Sequence, residues 1–323
     1  MKRLLIYSIV ILILQISCSR KEKIVYVTIP KGASISSIAH RLKIKNVISS
    51  ENTFKIIVKL KGKEKNIKSG TYKFKRNMSV LKVIEMLLEG ETEQIKITIP
   101  EGYNIRNITK LIKECLNIKE SIFINYAYDK TVLKKYGIKG ESLEGFLFPD
   151  TYNFSRFSDL DEIIKVLINH FNKVYEEESS RYVYRKNNTR MNIITMASLI
   201  QAEAKFTSEM PMIASVYYNR LKKGYRLECD PTVIYAMGYH KERLTYKDLK
   251  YKSPYNTYIY YGLPPGPICN PGRMAIRAAL YPAHTNYLYF VANVDGHHLF
   301  SVSLKEHNNK IKIVRNRRKS LLK

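Results

Sequence analysis

VTIPKGASISSIAHRL, Val27 to Leu42, returns without a gap as ITIPEGYNIRNITKLI, Ile97 to Ile112, at an offset of 70 residues. The copies agree at Thr28 and Thr98, Ile29 and Ile99, Pro30 and Pro100, Gly32 and Gly102, Ile35 and Ile105, and Ile38 and Ile108. Each reads as a strand ending at proline, a glycine turn and an amphipathic helix. In the first copy Ile35, Ile38, Ala39 and Leu42 hold the i, i+3, i+4, i+7 spacing of one helix face. A second helix is predicted from Thr53 to Leu60, then a strand, GTYKFK, over 70–75. A further helix starts at a Ser79 cap, runs through Leu88 and stops at Gly90. Strand, helix, helix, strand in so short a span predicts a small α+β module, suited to binding, to spacing or to structural support alone.

Working outward, MKRLLIYSIVILILQISCSRKEK has a basic start, an apolar run from Leu4 to Leu14 and a polar basic exit, the pattern of an export signal or anchor. The run is shorter than the roughly 20 residues that span a bilayer, although Ile16 extends it across Gln15. Cys18 also loosely matches a lipoprotein cleavage site. Either reading puts the rest of the chain outside the cytoplasm on a membrane. The predicted architecture is α+β: an anchor or lipoprotein signal over 1–22, the small module over 23–95, and a larger mixed α+β domain over 96–323. Within the last, 113–190 is expected to be mostly helical, broken by LEGFLFPDTYNF (143–154), with a helix from Leu160 to Tyr175. TNYLYFVANV and HHLFSVSL alternate around an Asp-Gly turn as a hairpin should.

At 323 residues, with 45% hydrophobic and 26% charged residues, the chain is long and apolar enough for two folded domains. The net charge of +27 suits an anionic partner, yet it is spread along the chain: residues 1–97 carry 20 Lys and Arg against 7 Asp and Glu, and the remainder 35 against 21. No nucleic-acid-binding motif accompanies it, so no nucleic-acid partner is expected. Cys18, Cys115, Cys229 and Cys269 are too few and too scattered for a disulfide framework, and no Cys or His pair has metal spacing. Neither a metal nor a cofactor is predicted. GxSxG and HExxH are both absent, and His297 and His298 read as solvated hairpin residues.

Carboxylates remain. In MASLIQAEAKF (196–206), Glu203 continues the row of Met196, Leu199 and Ile200, while Gln201 points almost the opposite way around the wheel. An acid on a buried stripe loses hydration and its pKa rises. The same spacing admits a half-exposed acid near a helix end, paired with Lys205, and spacing does not choose between the two. Glu144, Asp150, Glu228 and Asp230 are the candidates for a second carboxylate of the kind glycosidases use, although Asp150 and Asp230 sit where turns and caps form. The loop YKSPYNTYIYYGLPPGPICNPG (251–272) offers flat aromatic faces and amides suited to sugar rings.

MASLIQAEA, SVYYNRLKKGYRLECDPTVIYAMG, SPYNTYIYYGLPPGPICNPG and YLYFVANVDGHHLFS, with LEGFLFPDTY upstream, stand in an order that resembles the YceG-like family of membrane-bound endolytic murein transglycosylases. The similarity runs from about residue 24 to 308. It implies a single membrane anchor, a LysM-like region and a catalytic domain facing the cell wall. It also implies cleavage of the β-1,4 bond between N-acetylmuramic acid and N-acetylglucosamine, giving 1,6-anhydromuramyl ends, on nascent peptidoglycan glycan strands beside synthases such as penicillin-binding proteins. The family's catalytic glutamate maps onto Glu203. Asn219, Asp230, Tyr255, Asn256, Tyr258 and Glu144 are placed in the substrate groove. The chain departs from many relatives at Gln201, where they carry Glu, and at Glu228 and Cys229, where they carry Gln-Thr. A lysozyme-type hydrolase and a non-catalytic wall-binding scaffold are the competing readings.

Overall fold

The computed structural model describes residues 23–90, 92–156, 158–180, 189–239, 241 and 243–321. The segment read as an anchor or lipoprotein signal, with Cys18, lies outside them, as does most of the polar loop before MASLIQAEAKF. Among the described residues no helix is long and apolar enough to cross a membrane. The chain divides into two compact units, one of residues 1–95 with 155–157 and one of the rest.

In the first unit the opening repeat becomes strand β1 (Ile24–Ile29) and helix α1 (Ile35–Ile44). Gly32 turns between them at φ 76°, in the left-handed region open to a residue without Cβ, and Ser34 caps the helix by accepting from the Ser37 N–H. Helix α2 (Glu51–Leu60), strand β2 (Gly70–Lys75) and helix α3 (Val80–Glu89) follow, the last capped by Ser79 and ended by Gly90 as the sequence predicts. β1 and β2 pair antiparallel, Val27 opposite Tyr72 and Ile29 opposite Gly70. Their inward side chains, Val27, Ile29, Tyr72 and Phe74, close over Ile38, Leu42, Phe54, Val58, Ile84 and Leu87 in one apolar core.

The second repeat gives strand β3 (Gln94–Thr98) and helix α4 (Ile105–Leu116). Gly102 again has positive φ, and a capping box joins Asn104 to Asn107. Helices α5 (Glu120–Ala127) and α6 (Lys130–Lys135) precede strand β4 (Thr151–Ser155), which pairs with β3. Helix α7 (Leu160–Ser179) leads toward helix α8 (Arg190–Glu203), which carries the MASLIQAE stretch. Helices α9 (Met210–Lys222), α10 (Asp230–Met237) and α11 (Arg273–Leu280) pack against α8. The predicted hairpin forms from β5 (Tyr289–Ala292) and β6 (His298–Ser301), Val291 facing Leu299, and a polar helix α12 (Leu304–Leu321) ends the described chain.

The structure departs from the wheel drawn for MASLIQAEAKF. Every residue of α8 from Ile193 to Ile200 is buried, so this helix has no polar face through its middle. A helix apolar all round belongs inside a core, and α8 is the rod around which the second unit packs.

Candidate active site

Glu203 is the last residue of α8. Thr189 opens the helix by accepting from the Asn192 N–H, and Ala204 ends it by turning to an extended backbone at ψ 123°. The buried rod thus delivers one carboxyl to the point where the chain leaves the core. Glu203 is half-buried there, and Lys205 does not pair with it: the Lys205 ammonium lies 5.5 Å from the centre of the Phe206 ring. The helix-end reading holds for position, and the buried-stripe reading holds for environment.

Two neutral donors face one oxygen of this carboxyl. The Tyr217 hydroxyl, from α9, lies 3.4 Å from Oε2, and the Cys229 thiol, at the N-terminal cap of α10, lies 3.9 Å from it. Both side chains are buried. Among the described residues nothing hydrogen-bonds Oε1. Burial pushes the Glu203 pKa up, the nearby Asp230 charge pushes the same way, and the two long hydrogen bonds only partly oppose them, leaving it at about 7. The C-terminal end of the helix dipole also disfavours a negative charge there. At neutral pH the group is therefore poised between acid and carboxylate.

Asp230, the first residue of α10, accepts a short hydrogen bond from the Tyr258 hydroxyl. Thr257 fixes this neighbourhood: its hydroxyl accepts from the Cys229 N–H at 3.0 Å and its carbonyl from the Glu228 N–H at 3.2 Å. Glu228 sits at φ 52°, and its carboxylate pairs with the Arg220 guanidinium at 2.9 Å. Arg220 in turn donates to the carbonyls of Leu288, Arg226 and Leu227, so Glu228 belongs to a brace that holds the turn.

Two asparagines expected in the groove are placed differently. Asn256 is fully buried, its Nδ2 donating to the carbonyls of Leu249 and Tyr251 and its Oδ1 accepting from the Tyr258 N–H. Asn219 donates from Nδ2 to the Thr285 and Tyr287 carbonyls at 2.8 and 3.0 Å. With both amide hydrogens of each engaged inside the protein, these residues shape the tyrosine loop and the approach to β5. They leave no amide N–H for a sugar.

Glu144 is a second buried carboxyl. Both its oxygens accept from the Ile105 N–H at the start of α4, and Asn270 and Tyr235 donate to one each, at 3.0 and 3.3 Å. Burial outweighs these donors and raises its pKa to about 8. Its role in the fold is to seat α4, while the Tyr255 ring lies tilted at 51° against Tyr235, their centres 5.0 Å apart. Asp150 accepts from the Thr151 N–H, the turn role its sequence context suggests. The hairpin histidines differ from expectation. His297 is exposed but His298 is buried, and Glu209 accepts from or pairs with both rings at 3.1 and 2.9 Å. Ser198 is engaged by the Thr195 carbonyl and the Ile268 N–H, which leaves it no freedom as a nucleophile. Among the described residues no group of three or more His, Cys, Asp or Glu side chains is placed to hold a metal ion.

The structure thus gathers Glu203, Asp230 and Tyr258, while Glu144 and Tyr255 both meet Tyr235 of α10. Spacing missed Tyr217 and Cys229, which reach Glu203 from two other helices and carry no local signal of it.

The chain matches the model of the YceG-like family over residues 27–313. It is 40% identical over 301 residues to the endolytic murein transglycosylase of Bacillus subtilis (strain 168), covering 88% of this chain and 83% of that protein. A protein of the same name from Streptococcus pneumoniae serotype 2 (strain D39) is 28% identical over 325 residues, covering 91% of this chain and 59% of that relative. Among solved structures, a crystal structure of a yceG-like protein from Listeria monocytogenes superposes with a TM-score of 0.61 at 37% identity, covering 89% of this chain and 99% of that one.

Proposed function

The chain belongs to the YceG-like family, and we propose that it is an endolytic murein transglycosylase whose single acid–base group is Glu203. The observation that carries the assignment of Glu203 is a carboxyl raised to about 7 at the end of a buried helix, with Oε1 unengaged. Such a group serves both halves of a non-hydrolytic cleavage. Protonated, it donates to the leaving glycosidic oxygen, and the bond from muramyl C1 to that oxygen breaks. As carboxylate, it takes the proton of the muramyl C6 hydroxyl while that oxygen bonds to C1. The proton count returns to its start, no water is consumed, and the product end is a 1,6-anhydromuramyl residue. Holding the nucleophile on the same sugar exploits the high effective molarity of intramolecular attack, and the proton transfers add about 10² to 10⁴ fold. Asp230, fixed by Tyr258, is suited to stabilise the positive charge that develops at C1.

Asp230 also supports a second reading, in which it orients water or attacks C1 and the enzyme is a lysozyme-type hydrolase. Mass spectrometry of products from purified glycan strands separates them. Anhydromuramyl ends are expected, and reducing muramic acid with one added water overturns the transglycosylase reading. We further assign the first unit to glycan binding as a LysM-like module and residues 1–22 to tethering at the membrane, outside the cytoplasm and beside peptidoglycan synthases.

A further inference from the structure

A cleft of about 890 Å³ opens between α4 and α10, with Ala202 and Pro231 in its lining. These residues are the chain neighbours of Glu203 and Asp230, so the lining of the cleft comes within one residue of each. Its volume is that of a ligand pocket. Nothing in the acid–base chemistry above uses it.

Arg106 and Lys110 line it, one helical turn apart on the same face of α4, and both are exposed. Neither makes an ion pair or side-chain hydrogen bond among the described residues. The Arg106 guanidinium lies against Gly238 at the end of α10: a Cβ there would lie 2.1 Å from its Nη1. Glu120 lies within charge range of Lys110 and Glu144 within that of Arg106, but neither acid is hydrogen-bonded to them. Glu120, the one acid in the lining, is held at 2.7 Å by Lys113. Glu144, buried behind Arg106, accepts from Ile105, Asn270 and Tyr235, and burial favours its neutral form at pH 7. The exposed ring of Tyr239 supplies apolar surface beside the cations.

Two exposed cations that hydrogen-bond no acid among the described residues, in a walled cleft whose lining adjoins Glu203 and Asp230 in the chain, fit an anionic group carried by the reacting sugar. We infer that this cleft is a subsite for the carboxylates of the peptide borne by the muramyl residue, gripped by Arg106 and Lys110 as the glycan lies across Glu203. The inference rests on the transglycosylase reading, in which the sugar whose C1 reacts is the one that carries a peptide, through its lactyl group. A planar guanidinium is suited to a carboxylate, and charge-assisted contacts of this kind are the strong ones.

The test compares glycan strands carrying their peptides with the same strands stripped by an amidase, using wild type and Arg106→Ala/Lys110→Ala. Both positions are exposed, so the variant is expected to keep the wild-type melting temperature. On peptide-bearing strands kcat/KM should fall about tenfold or more, the scale of one or two charge-assisted contacts. On stripped strands it should not change. Equal loss on both substrates, or no loss on either, overturns the subsite. Wild type that cleaves neither substrate overturns the transglycosylase reading and this inference with it.

Discussion

The chemistry turns on one proton, and its behaviour is set by the three side chains around Glu203. Glu203→Gln should lower kcat by about 10² to 10⁴ fold while keeping a melting temperature at or above that of wild type at neutral pH, because the amide keeps the shape and loses the proton. Full cleavage by that variant would end the assignment. The acid form is the one that protonates the leaving glycosidic oxygen, so activity should fall as pH rises through about 7. Asp230→Asn removes the neighbouring charge that helps raise this pKa, and the descending limb of kcat/KM should move to lower pH; an unmoved limb would show that Asp230 does not act on Glu203. The same physics makes stability pH-dependent. Glu203 and Glu144 titrate in the folded state at about 7 and about 8, above the unfolded value of about 4.3. The folded state therefore binds more protons between these limits. This contribution to stability is fully present below about pH 4.3 and is lost as pH rises through 7 and 8. Wild type should therefore lose melting temperature as pH rises from about 4.3 to about 8, and Glu144→Gln should flatten that fall, its new amide donating to the Tyr235 hydroxyl. Sequence pattern singled out Glu203 because an acid in an apolar run is visible locally. That the Asn219 and Asn256 amides donate to carbonyls of the protein was not legible, because an amide looks the same in sequence whether it faces a ligand or the carbonyls of its own loop.

At the scale of elements, what could be read from the sequence was whatever is built from neighbours. The repeated strand, glycine turn and helix, the Ser79 cap and the Asp-Gly hairpin each carry their signal within a few residues, and each forms. α8 is the contrary case: its burial on all sides through the middle is decided by α9, α10 and α11, so a wheel drawn from its own residues shows one apolar row but not that the rest is buried too. α12 was missed for a related reason, since in its polar sequence Val314 is the buried anchor. The loop from Leu143 to Asp150 shows how tightly α8 is gripped. Gly145 holds φ 86°, and a Cβ there would meet Pro267 Cγ at 2.5 Å and Ile194 Cγ2 at 2.8 Å. Gly145→Ala combines backbone strain with overpacking against the helix that carries Glu203. It should destabilise the protein by about 2 kcal/mol or more, measured as a lower urea midpoint with an unchanged m-value. A wild-type midpoint would mean that the loop and α8 yield more easily than their packing implies.

For the whole molecule, the division into two units sets what each part can do alone. The apolar core of the first unit is complete within its own residues, from Val27 on β1 to Leu87 on α3. A domain of this size buries only about 60% of the surface its unfolded chain exposes, so its stability on its own is marginal. The fragment 23–95 should fold cooperatively with a modest melting temperature, and Phe54→Ala, which empties a fully buried site at a cost of about 3 to 5 kcal/mol, should leave it unfolded. The residues proposed for chemistry, Glu203, Asp230 and Tyr258, all fall in the second unit, as do the two cations of the cleft. The fragment 96–323 should therefore cleave short soluble strands with a kcat close to that of the chain from residue 23 onward. On insoluble sacculi its KM should rise, since binding shared between two linked modules gains from effective concentration. Because the charge excess is denser in residues 1–97 than beyond them, the KM of the longer protein should climb more steeply with salt than that of the fragment. Equal KM values on sacculi at every salt concentration would remove the first unit from substrate binding and leave it a spacer.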